Sequence, residues 1–128
     1  MINKSLNNHI GHLSQYSRAG DCKGGGGQSY NVHLDTVPAS AAWTVPPHEA
    51  RVTQDGRVVG LGSNDAKASV AAMVGAFARL SGGGVPRELR LLLLLSAQEE
   101  VGGKGTEAAV PELERLGLGP RAVVVGEP

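Results

Sequence analysis

"ELRLLLLLSAQEEVGG", residues 88–103, decides the fold. Five consecutive leucines, Leu91–Leu95, make an apolar run of strand length, and such a run suits a central strand covered on both faces. It is far too short to cross a bilayer, which needs ~20 apolar residues. The run ends on Glu99 and Glu100. Two adjacent carboxylates at the mouth of a buried strand are costly unless something offsets their charge. Either they form a solvated loop, or they belong to a site that needs carboxylates at a fixed place.

The neighbouring segments repeat the arrangement. "QSYNVHLDTV", 28–37, reads as a strand ending in His33 and Asp35. "RVTQDGRVVG", 51–60, places Asp55-Gly56 between valines, a hairpin signal. "AKASVAAMVGAFARL", 66–80, spaces Val70, Met73, Val74, Phe77 and Leu80 by three and four, as an amphipathic helix does. Ser63, Asn64 and Asp65 offer caps at its start, and "SGGG", 81–84, stops it. "GTEAAVPELERLG", 105–117, has helical composition, with Pro111 expected to break or restart it. "RAVVVGEP", 121–128, reads as a second buried strand, with Glu127 just past its end. Strands alternate with helices after the hairpin. The expected fold is therefore α/β, a mostly parallel sheet with helices on both faces.

In such sheets ligands gather at the carboxyl ends of strands. His33, Asp35, Asp65, Glu99, Glu100 and Glu127 all follow strands or precede the helix. Carboxylates converging there would repel one another, and divalent cations remove that conflict. One histidine with several carboxylates suits zinc, and also cobalt or manganese. Alternate strand residues point the same way, so Asp35 can reach the imidazole of His33 and fix it. Neighbours along an extended chain point apart, so Glu99 and Glu100 need not do the same job. One can ligate metal while the other faces the cleft as a general base.

Composition narrows the partners. The 128 residues suffice for one domain with a core. Twelve basic and twelve acidic side chains balance, which argues against nucleic acid and gives no polybasic segment for a membrane. The first residues, "MINKSLNNHIGHLSQ", lack the apolar core of a signal peptide. Cys22 is alone, which suits a reducing cytoplasm. Residues 1–27 form a polar, glycine-rich segment, expected to be solvated or frayed, and His9 and His12 within it are read as surface residues. His48 is read the same way. Trp43, Lys67, Lys104 and the glycines at 60, 62, 102 and 103 are read as structural.

"NVHLDTVPAS", "GLGSNDAKASVAAM", "SAQEEVGGKGTE" and "VVVGEP" together resemble the co-catalytic zinc deacylase and exopeptidase family. It includes acetylornithine deacetylase, succinyl-diaminopimelate desuccinylase, aminoacylase and carboxypeptidase G. The resemblance runs in order over residues 28–128, and the second motif is most like acetylornithine deacetylase-like members. It implies a catalytic domain with two zinc ions. His33 then matches a metal ligand and Asp35 the aspartate that orients it. Asp65 matches a bridging ligand, Glu100 a ligand of the second metal and Glu127 a ligand of the first. Glu99 matches the general base that takes a proton from the attacking water. The implied substrate is a small N-acyl amino acid, with a place in arginine biosynthesis. The resemblance also implies a further histidine ligand and a dimerisation domain beyond residue 128, so the chain is expected to be the N-terminal part of a homodimeric enzyme. Desuccinylase or carboxypeptidase action, or an inactive metal-binding fragment, are the alternatives.

Overall fold

A computed structural model describes residues 16–17, 27–84 and 89–128. Strand β1 is Tyr16–Ser17, β2 is Gly27–His33, β3 is Arg51–Val52 and β4 is Val58–Val59. Helix α1 spans Ser69–Arg79, β5 spans Leu91–Ser96, α2 spans Lys104–Arg115 and β6 spans Pro120–Val125. Four strands form one sheet in the order β1-β5-β2-β6. The pairs β2–β5 and β2–β6 are parallel, and β1 is antiparallel to β5. The chain is thus α/β with a mostly parallel sheet.

The leucine run is β5, and it is covered on both faces. Leu91 and Leu93 look one way, Leu92 and Leu94 the other, and all four are buried. Phe77 of α1 packs with Leu91 and Leu93, and Met73, Leu80, Tyr30, Leu89 and Leu95 close around them. This is the core of the described residues, and it seats α1 over β2 and β5. Helix α2 buries Ala109 and Leu113. Gly105 in its first turn lies against the backbone of Ala97, where a Cβ would collide. That close approach fixes the helix directly after the Glu99–Glu100 turn.

The Asp55-Gly56 hairpin forms as its sequence suggests. Arg51 faces Val59 and Val52 faces Val58, and Thr53 N–H donates to the carbonyl of Arg57 at 2.9 Å.

Five expectations need correction. The helix begins at Ser69 rather than at 66, because Ser63–Ala68 forms an irregular turn in which Asp65 and Ala66 leave helical geometry. No side chain caps α1, since the Asp65 carboxylate turns to His33 instead. Helix α2 continues through Pro111. That residue and Glu107, whose carbonyl loses its usual donor, are both exposed, so water can take the place of the missing N–H. Strand β6 is not buried. Val123 and Val125 are 53 % and 57 % exposed, and β6 lies at the sheet edge, paired on one side only among the described residues. The polar N-terminal segment also contributes more than expected: Tyr16–Ser17 extends the sheet beside β5. His9, His12 and Cys22 lie outside the described residues.

Candidate metal centre

Parallel pairing sets the site. His33 at the end of β2 stands opposite Ser96 at the end of β5, and Leu34 N–H donates to the Ser96 carbonyl at 2.9 Å. On the other side Gly126 N–H donates to the Asn31 carbonyl at 2.8 Å, and continuing the register in which Asn31 faces Val125 brings Glu127 level with His33. A Cβ on Gly126 would come within 2.9 Å of Met73 Cε, so glycine lets the chain pass α1 on its way to Glu127. Asp65 arrives from the fourth direction, in the turn before α1. That turn starts at Gly62 with φ 75, a backbone that favours glycine, and a Cβ there would also strike the Lys67 ammonium and the Thr36 methyl.

His33 is 2 % exposed and its ring is contacted from both nitrogens. Nδ1 faces the Asp35 backbone carbonyl at 3.2 Å and the Asp35 carboxylate at 3.4 Å. Nε2 lies 3.0 Å from Asp65 Oδ1 and 3.8 Å from Glu127 Oε2. Burial pulls the His33 pKa down. The hydrogen bond to Asp65 and the charges of Glu127, Asp65 and Asp35 push it up and prevail, so it stands above its ordinary value. For Asp35, burial pushes the pKa up. Hydrogen bonds from its own N–H and those of Glu99 and Glu100, with the charge of His33, pull it down more strongly, and it stands below its ordinary value.

Two groups of ligating atoms form, each within 4.8 Å: His33 with Asp65 and Glu127, and His33 with Glu99 and Glu100. All six residues singled out in the sequence therefore meet at the carboxyl end of one sheet. Asp65 and Glu100 do not join one group with His33. The first group suits a divalent cation. Atoms on opposite sides of a zinc ion with bonds of ~2.0–2.2 Å lie at most ~4.4 Å apart. The His33–Asp65 and His33–Glu127 separations, 3.0 and 3.8 Å, fall inside that limit. With Nδ1–H donating to Asp35, Nε2 is the nitrogen left to bind.

Asn31 drew no attention in the sequence. It lies two positions before His33 on the same face of β2, and its buried Oδ1 has no hydrogen-bond partner among the described residues. Beside the cluster a cavity of about 600 Å³ opens between the hairpin and α1. Pro47, Val58, Val59 and Ala71 form its apolar wall, and Thr36 and Lys67, close in sequence to Asp35 and Asp65, also line it. His48, exposed as expected from the sequence, also lines it.

Residues 30–128 match peptidase family M20/M25/M40. The chain belongs to this family. It is 55 % identical over 47 residues to an N-acetyl-L-citrulline deacetylase of Xanthomonas campestris, covering 37 % of this chain and 13 % of that protein. It is 36 % identical over 97 residues to a succinyl-diaminopimelate desuccinylase of Wolinella succinogenes, covering 75 % of this chain and 25 % of that protein. The fold matches the crystal structure of human carnosine dipeptidase 1 with a TM-score of 0.65 at 21 % identity, over 82 % of this chain and 23 % of that one. The chain thus spans a quarter or less of the length of these three proteins. The family resemblance and the α/β fold expected from the sequence both hold.

Proposed function

We propose that this M20-family chain carries part of the catalytic centre of a metal-dependent amidohydrolase that removes an acyl group from an N-acyl amino acid. The observation behind this reading is the meeting of one buried imidazole with carboxylates from four separate segments at the carboxyl end of a parallel sheet. His33, Asp65 and Glu127 would hold one zinc ion, and Glu100 would serve a second, with Asp65 shared between the two. Cobalt and manganese suit the same donors. Bound there, the metal supplies Lewis-acid polarisation of the amide carbonyl and acidifies water.

The chain's own residues would do the rest. Asp35 holds the His33 ring by Nδ1, leaving Nε2 to bind. Glu99, exposed at the strand end, takes the proton from the attacking water and returns it to the leaving amine nitrogen. The cavity beside the cluster offers apolar walls and the Lys67 ammonium to an aliphatic chain bearing a carboxylate. A small N-acyl amino acid has that form. The local identity to an acetylcitrulline deacetylase favours an acetyl group, and the longer alignment with a desuccinylase keeps succinyl as the rival. Small-molecule turnover in the cytoplasm, by a homodimer when the full-length protein is present, completes the reading.

The test is hydrolysis of N-acetylornithine, N-acetylcitrulline and N-succinyl-diaminopimelate by the purified chain, with zinc and with a chelator. Zinc-dependent release of acetate supports deacetylation, and release of succinate favours the rival. Zinc binding without turnover of any of the three supports the alternative, an inactive metal-binding fragment.

A further inference from the structure

Asp35 faces two ways. Besides the contact with His33, its Oδ1 accepts the backbone N–H of Glu99 at 3.2 Å and its Oδ2 that of Glu100 at 3.3 Å. The residue just before them, Gln98, has φ 64, and it is the one non-glycine residue with positive φ among the described residues. A side chain with a Cβ disfavours that left-handed backbone. Beyond the pair, Gly103 N–H donates to the Gln98 carbonyl at 2.8 Å and Gly102 N–H to the Glu99 carbonyl at 3.1 Å. Those bonds close the turn from its far end. Two successive N–H groups aimed at one point form a concavity that binds an anion, and here the anion is the Asp35 carboxylate.

We infer that Asp35 is a positioning residue for Glu99 and Glu100, acting through their backbone, and that it holds Gln98 left-handed to do so. The inference rests on the functional reading above, in which both glutamates work. One carboxylate then ties the imidazole to the glutamate pair across 64 residues of sequence. It places both side chains at the strand end without touching either, and their carboxylates come within 4.8 Å of each other and of the His33 imidazole. Because the clamp grips main-chain N–H groups, the glutamate side chains stay free for metal and water.

The test uses the whole chain, free of metal, and reads amide hydrogen exchange by NMR. Asp35→Asn keeps the shape of the side chain and removes one acceptor oxygen and the charge. Exchange at Glu99 and Glu100 is expected to rise roughly tenfold, with Val32 and Leu93 in the core strands unchanged. Gln98→Val, which leaves Asp35 and His33 intact but resists φ 64, is expected to raise exchange at the same two amides. Zinc titration of the same proteins gives the second readout. Asp35→Asn is expected to bind zinc more weakly through both of its contacts, and Gln98→Gly added to it is expected to recover the part lost through the turn, because glycine adopts the turn without the clamp. Unchanged exchange at Glu99 and Glu100 in Asp35→Asn overturns the inference. Zinc loss that Gln98→Gly leaves untouched also overturns it, since the effect then runs through His33. A wild-type chain that binds no zinc would remove the hydrolase reading and leave the exchange result standing.

Discussion

His33 Nε2 lies 3.0 Å from Asp65 Oδ1, although 32 residues separate the two in the chain. Asp65 gives up the capping role its place before α1 would allow and spends its carboxylate on the imidazole. A side chain diverted from local helix stabilisation to a buried ring is what a ligand pair requires.

The first expectation concerns that pair. His33→Ala should weaken zinc binding at least about a hundredfold, because it removes the nitrogen both groups share. Asp65→Asn, which keeps the size but not the charge, should weaken it by roughly tenfold or more. Calorimetric titration of the metal-free proteins measures both. Affinity indifferent to His33→Ala would show that zinc binds elsewhere.

Glu99 and Glu100 are expected to part company when substituted in a full-length parent. Glu99→Ala should abolish turnover with metal content nearly intact, as removal of a general base does. Glu100→Ala should lower occupancy of one metal. Turnover and metal analysis on the same preparations separate the two. Equal metal loss from both would assign both to ligation, which the grouping of both with His33 permits geometrically.

What the sequence revealed, and what it withheld, follows from the range of the forces involved. Leu91–Leu95 announced a covered strand because apolar continuity is a local signal, and the covered strand is there. The three valines of β6 carry the same signal but lie exposed. An apolar run reports that a strand can be covered, not that the described residues cover it. The residues of the centre were legible because each sits at a strand end or a helix start, and a parallel sheet brings those places together. How the carboxylates pair within it was not legible. Asp65 reads equally well as a cap, and only its contact with distant His33 decides otherwise. Gln98 gave no hint of its left-handed backbone, since asparagine or glycine usually marks such a position. Pro111 pointed to a break that exposure makes unnecessary.

The pH dependence of metal-free stability and of zinc binding should run in opposite senses at His33. Its pKa is raised above the ordinary 6.5 in the folded chain. Its contribution to stability is therefore complete below about pH 6.5 and is lost as pH climbs through the raised value. Zinc needs the neutral ring, so its affinity should climb over that same interval. Asp35 has the other sign. Its pKa is lowered from 3.8, so its contribution holds above that value and disappears as pH drops below it. Denaturation midpoints against pH, compared with His33→Gln, measure the first effect. A midpoint difference that stays flat from pH 6 to 9 would contradict it.

The last expectation contrasts the core with the open edge. Phe77 is buried against Leu91 and Leu93, the only fully packed cluster that joins α1 to the sheet among the described residues. Phe77→Ala should cost about 3–5 kcal/mol, the transfer of the ring plus the cavity it leaves. A domain of this size typically holds only ~5–15 kcal/mol, so this one change should bring much of the population to the unfolded side. Val124 in β6 is 46 % exposed, and Val123 and Val125 beside it are more so. Val124→Lys should change stability by no more than about 0.5 kcal/mol. It should instead reduce association, because a charge on an edge strand blocks pairing with another chain. Urea denaturation reads the first effect, and sedimentation at increasing concentration reads the second. A Val124→Lys protein as destabilised as Phe77→Ala would mean that β6 is packed in solution, and the exposed edge would have to be redrawn.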